Sequence, residues 1–202
     1  ALAIETLPAD RAMTESPDAV YFQVCVGSMF GPAEGHGGVA RAFESLARKA
    51  GLTLTTPNDI AGLCCGTPWK SKGMGSGYST MMERTIDALW HASDSGRLPV
   101  VCDNSSCSEG LLDALTAAIA NDPDRSTLTI SDAVDFVAIH VLPHLVVDDK
   151  LGSIAVHPTC SSTRGGSNAN LRRLSEAVAT NVVVPENWGC CAFAGDRGML
   201  HP

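Results

Sequence analysis

Long apolar runs are missing from this sequence of 202 residues: no stretch reaches the about 18 uninterrupted apolar residues that a membrane-spanning helix needs. Positive charge is scarce as well. Lys and Arg number 14 against 22 Asp and Glu, a formal net charge of −8. Nucleic-acid binders show the opposite balance, so that class is set aside. Charged residues make up only 18%, below the roughly 25% of an average soluble domain, which argues against disorder and against a solvated coiled coil. There is no initiator Met and no charged n-region followed by an apolar h-region. The opening ALAIETLPADRAMTESPD is loose and polar-leaning, so residues 1–18 are expected to be a flexible lead-in from a longer parent. Signatures of other chemistries are also missing. The glycine-rich turn around His36 has neither G-x-G-x-x-G nor a P-loop lysine, Asp103 and Ser105 lack a G-x-S-x-G elbow, and His140 and His144 lack H-E-x-x-H.

What is present is a core-forming composition, 45% hydrophobic, in which apolar runs alternate with helical patterns. Strands are expected at Ala19–Val26, Leu52–Thr56, Leu98–Cys102, Thr127–Ile130, Ile154–His157 and Asn181–Val184. Helices are expected at Val39–Ala50, Tyr78–Ala92, Leu111–Ala120, Asp132–Leu145 (capped by Ser131) and Asn168–Ala179. Strand–helix alternation at this spacing predicts an α/β fold with mostly parallel sheets and flanking helices.

Eight cysteines punctuate that pattern: Cys25, Cys64, Cys65, Cys102, Cys107, Cys160, Cys190 and Cys191. Their order repeats. A strand, a single cysteine, a glycine-containing turn, a helix, a short strand and an adjacent pair occur twice, with 38 residues between single and pair in the first unit and 29 in the second. This divides the chain into a first half, 19–150, and a second half, 151–202. The second is expected to be incomplete, because 41 residues separate Cys65 from Cys107 whereas only 11 follow Cys191. Without a secretory signal, clustered cysteines point to metal or redox chemistry in a reducing compartment rather than to bridges. Cys25 and Cys102 fall at the ends of apolar strand runs, and ligands of open parallel sheets bind outside the carboxyl ends of strands. Thiolates favour iron–sulfur clusters, zinc and Cu(I). Zinc is the rival to an iron–sulfur cluster, a vicinal disulfide within a pair is another arrangement, and a single buried cysteine such as Cys25 has the plainer reading of a small hydrophobe. His157, three residues before Cys160, is either a ligand or a strand-end histidine with an ordinary hydrogen bond. Lys70, Lys72, Arg164 and Arg197 lie near the cysteine loops, as charge compensation or as solvated loop residues.

The pattern Cys25, Cys64-Cys65-Gly66, Cys107, then Cys160 and Cys190-Cys191, resembles the cysteine-rich CCG domain family, which includes a component of heterodisulfide reductase and the iron–sulfur components of glycolate oxidase. The phrases GLCCGTPWKSKG, VVCDNSSCSEG, HPTCSS and WGCCAFAGDRGML are similar to the C-terminal module of FAD-linked D-lactate or D-2-hydroxyacid dehydrogenases, over about Tyr21 to Pro202. The resemblance implies iron–sulfur chemistry of the four-iron kind, with Cys25, Cys64, Cys65 and Cys107 matching a first motif, Cys160, Cys190 and Cys191 a second, and Cys102 as a substitute ligand in the first. It also implies electron transfer from flavin to an acceptor. The FAD would sit in the parent's upstream flavin domain and not in this fragment. The partners implied are that domain and the acceptor, in the cytoplasm or at the inner face of the membrane, and no turnover is expected from the chain alone. Two departures stand out. Asn104 occupies the first position of the family's closing C-x₂-C, with Cys102 two residues earlier as a substitute, and Ala192 follows the second pair where the family has Gly. The alternative function is a zinc-bound or metal-free interaction domain that docks a redox partner.

Overall fold

The computed structural model describes residues 4–6, 16–32 and 37–190; Cys191, His36 and Arg197 lie outside them. The fold is α/β, as the alternation predicts. Its centre is a four-stranded, all-parallel sheet in the order β3-β2-β4-β5, formed by β2 (Ala19–Phe22), β3 (Leu54–Thr55), β4 (Val100–Cys102) and β5 (Ile130–Asp132). Register pairs Phe22 with Cys102 and Cys102 with Asp132, so the carboxyl ends of three strands lie side by side.

Alternation along the strands divides the core into two layers. Val20, Phe22, Val100 and Cys102 face one cluster, with Met82, Ile86 and Leu89 of α4 (Gly75–Ala92) and Leu111, Ala114 and Leu115 of α5 (Ser105–Asn121). Ala19, Tyr21 and Val101 face the other, with Phe43 and Ala47 of α2 (Gly38–Lys49) and Phe136 of α6 (Ala133–Phe136).

Beyond this sheet, β6 (Leu145–Val147) pairs antiparallel with β1 (Ile4–Thr6), a contact absent from the sequence expectations. A parallel pair then follows, β7 (Leu151–Ala155) and β8 (Ala179–Val183), joined through α7 (Cys160–Arg164) and α8 (Asn168–Val178). The connection from β2 to β3 likewise runs through two helices, α1 (Cys25–Phe30) and α2, and the short α3 (Thr67–Ser71) precedes α4. No helix among the described residues is long and apolar enough to cross a membrane.

Several element boundaries differ from expectation: α5 begins at Ser105 rather than Leu111, and β5 covers Ile130–Asp132 rather than Thr127–Ile130. The first strand ends at Phe22 and Cys25 opens α1, because the chain turns into a helix where a strand was expected to run through Val26. Ser131 lies in β5, and Asp132 is the residue that caps α6, accepting from the Val134 amide at 2.8 Å. The helix expected through Leu145 gives way at Phe136 to a π-helical turn, Val137–Val141, and then to a 3₁₀ turn over Leu142–His144. Pro143 lacks the amide that would continue the ladder.

Candidate metal centre

Five cysteines are drawn to the carboxyl end of the central sheet by different elements. Cys102 closes β4 and is fully buried on the α4/α5 side, the same face as Val100. It shares that layer with Cys107, in the first turn of α5, and the Cys102 thiol donates to the Asn104 carbonyl at 3.7 Å. Cys107 bonds Cys65, and Cys65 bonds Cys64. Cys25, exposed at the start of α1, acts electrostatically on Cys64. Cys64, Cys65, Cys102 and Cys107 are free thiols, so the vicinal disulfide is not formed in the first pair.

Of these four inner cysteines, Cys65 is the one whose thiol is held low. Hydrogen bonds from Cys107 and then Cys64, with further ones from the Thr67 side chain and amide, hold the Cys65 thiol far below its usual range. Cys64 is pushed up by its bond to Cys65 and by burial. Cys107 is pushed up by Cys102, Cys65 and burial. Among the described residues no three Cys, His, Asp or Glu side chains surround a single point as one bound ion would require. The donor set is nonetheless all sulfur, and soft thiolate donors fit an iron–sulfur cluster.

The Cys64-Cys65-Gly66 turn is fixed by residues that the cysteine pattern does not reveal. Thr85 of α4, fully buried, donates its hydroxyl to the Cys64 carbonyl at 3.1 Å and accepts from the Cys64 amide at 3.4 Å. The only hint in the sequence is one threonine on a stripe otherwise made of Met82, Ile86 and Leu89. Gly66 has φ +81°, and a Cβ there would stand 2.4 Å from the Met82 sulfur. Its amide points at the Cys64 sulfur at 3.5 Å.

Asn104 is a cap rather than a ligand. Its Oδ1 accepts from the amides of Ser106 at 3.0 Å and Cys107 at 3.4 Å, at the start of α5. Its side chain thus fixes the backbone of Cys107. Asn104→Ala is expected to lower stability by about 1 kcal/mol, the usual cost of a lost N-cap. The check is a urea titration in which the midpoint falls and the slope does not change.

Helix α7 meets α5 beside this centre. Ser106 and Ser161 hydroxyls lie 3.3 Å apart, each next to a cysteine of interest, Cys107 and Cys160. Arg164 grips Glu109 with two bonds of 2.6 Å, and Ser161 adds a third at 2.7 Å. Arg164 is the main reason that the Glu109 carboxyl sits below its ordinary range. A cavity of about 300 Å³ opens at this seam, lined by Thr67, Lys70, Ser106, Glu109, Asp113 and Arg164. Lys70 is paired with Asp113 at 2.6 Å. Cys160 and Cys190 are exposed. His157 is exposed too, and its ring meets Trp188 edge-on at 5.9 Å. His140 packs its ring against Phe136 at 5.0 Å, far from any catalytic arrangement of the H-E-x-x-H kind.

No curated protein and no solved structure matches the chain. Residues 154–201, which include Cys160, Cys190 and Cys191, match the family model described as the CCG cysteine-rich domain, the family that the cysteine pattern resembles.

Proposed function

We propose that this chain is the iron–sulfur electron-transfer module of a larger FAD-linked D-lactate or D-2-hydroxyacid dehydrogenase, relaying electrons from the flavin to an acceptor in the cytoplasm or at the inner face of the membrane. The observation that carries the reading is the gathering of Cys25, Cys64, Cys65, Cys102 and Cys107 at one end of a parallel sheet. Four-sulfur zinc sites are usually built from two short C-x₂₋₄-C knuckles, and here Cys102-x₄-Cys107 is the one such spacing, which favours iron–sulfur chemistry over zinc. When bound, a cluster would take up and give back single electrons.

The protein's own share is to hold the sulfurs and shape their surroundings. Amides and hydroxyls that bond ligand sulfurs are a known lever on potential, and Gly66 and Thr67 supply such donors to Cys64 and Cys65. The cysteine pair is shielded by α4 and α5, whereas Cys25 remains at the rim. In the second half, Cys160, Cys190 and Cys191 would supply further thiolates, and the family match over these residues supports that assignment.

The test is anaerobic reconstitution of the chain with ferrous iron and sulfide. Iron and labile sulfide bound in comparable amounts, with a paramagnetic signal on reduction, are expected. Zinc retained in preference to iron, or no metal at all, would overturn the reading in favour of a docking domain. Electron transfer to an artificial acceptor is expected only when a flavin domain is supplied.

A further inference from the structure

Asp103 follows directly on Cys102 at the end of β4, and both of its oxygens are used. Oδ2 accepts from the hydroxyl of Tyr21 at 2.5 Å, and Oδ1 accepts from the amide of Val24 at 3.0 Å. Tyr21 is fully buried in β2, its ring 4.8 Å from that of Phe43. Val24 is the N-cap of α1, whose first residue is Cys25, and its own side chain makes no capping bond. In a capping box the N3 side chain returns to the N-cap amide. Here that amide is bonded instead by a carboxylate reaching across from the end of the neighbouring strand, one residue after Cys102.

We infer that Asp103 is a positioning residue, a clasp between the ends of β2 and β4 that fixes where Cys25 stands relative to the inner thiols. Cys25 differs in setting from the inner thiols. It is exposed at the start of a six-residue helix, whereas Cys65, Cys102 and Cys107 are buried in a packed core. Strand register sets Phe22 beside Cys102 but says nothing about the two residues after Phe22. The carboxylate supplies that information. One oxygen is anchored to a phenol held in the core, and the other holds the amide that precedes Cys25. Alternation along β4 makes the device possible, since Cys102 turns toward the inner thiols and Asp103 toward Tyr21. The role in ligation rests on the function proposed above, but the clasp is measurable without any metal.

The experiment uses metal-free full chain, with Asp103→Ala, Asp103→Asn and Tyr21→Phe. Hydrogen exchange is read at Val24 and along α1, and iodoacetamide labelling is read at Cys25 by peptide mass. A bond to a carboxylate contributes about 1.5 kcal/mol or more net, so Asp103→Ala should speed both readouts by about tenfold. Amides of β4 and α4 should keep their rates. Asp103→Asn retains an acceptor for Val24, with the Tyr21 hydroxyl turned to accept, and should restore most of the protection. Tyr21→Phe should give an intermediate increase and carries the test if Asp103→Ala does not fold. Rates at Val24 and Cys25 unchanged from wild type in the folded variants would overturn the clasp. In reconstituted protein, Asp103→Ala should also shift the spectroscopic signature of the reduced centre. Failure of wild type to bind iron would sink the proposed function, and the metal-free rates would still decide the clasp.

Discussion

Replacing Cys65 by serine should remove nearly all retained iron, at least a tenfold loss per chain after anaerobic reconstitution. Cys65 is 3% exposed, packed in one layer with Cys102 and Cys107, and its thiol is held low by Cys107, Cys64 and Thr67. Serine keeps the shape and the hydrogen bonds but offers a harder, weakly acidic oxygen to a soft metal. Thr67 and the neighbouring thiols remain as partners for the new hydroxyl, so the stability cost should stay near the low end of about 1–3 kcal/mol for a buried polar change. Loss of metal with retention of fold is therefore the expected pairing, read by iron analysis beside a circular-dichroism melt. Cys64→Ser should behave alike. Wild-type iron content in both variants would refute the assignment of the pair as ligands.

A second large effect is expected at a residue that carries no chemistry. Gly110 lies three residues after Cys107 on α5, hence on the same helix face. A Cβ at Gly110 would stand 2.5 Å from the Thr67 hydroxyl and 2.6 Å from the Cys65 carbonyl oxygen. The hydroxyl can rotate away; the carbonyl belongs to the backbone of the cysteine pair and cannot. Two effects compete in Gly110→Ala. Helix propensity favours alanine by about 1 kcal/mol, whereas overpacking costs about 1–3 kcal/mol and here forces α5 away from the loop it must touch. The clash should win, with a net loss of about 1–2 kcal/mol and a broken Cys65–Cys107 contact. A lower urea midpoint together with weaker iron retention is the expected result. A stabilised protein with full iron would show that propensity prevailed and that the close approach is dispensable.

Much of this arrangement is legible from residue order. β2, α2, β4 and α8 follow from apolar periodicity, and strand-end placement locates Cys102. The orientation of Cys102 is also accessible, since it shares a strand face with Val100. Less accessible is everything decided by contacts distant in the chain. The strand β2 reads longer than it is because Gln23-Val24-Cys25-Val26 continues an apolar run; a helix begins there and Asp103, 79 residues from Val24, ties its first amide. Thr85 reads as an ordinary helix residue until the Cys64 peptide is seen bound to it. The expected cap of α6, Ser131, lies one residue too early within β5, and Asp132, directly before the helix, caps it instead. Pairing of β1 with β6 joins segments too far apart in sequence, and too short, for a local pattern to mark.

The seam between α5 and α7 bears on how this chain is divided into parts. The stretch that matches the cysteine-rich family begins at residue 154, yet the side chains that hold it in place are contributed from upstream: Glu109 to Ser161 and Arg164, and Asp135 to Ser167 and Asn170. Ser161 and Ser167 are 7% and 3% exposed. An excision at the boundary of the family match would sever those bonds on both sides, leaving two carboxylates facing water and buried hydroxyls without their acceptors. The segment that heredity marks as a module and the segment that could be transplanted intact are, in this protein, different lengths of chain.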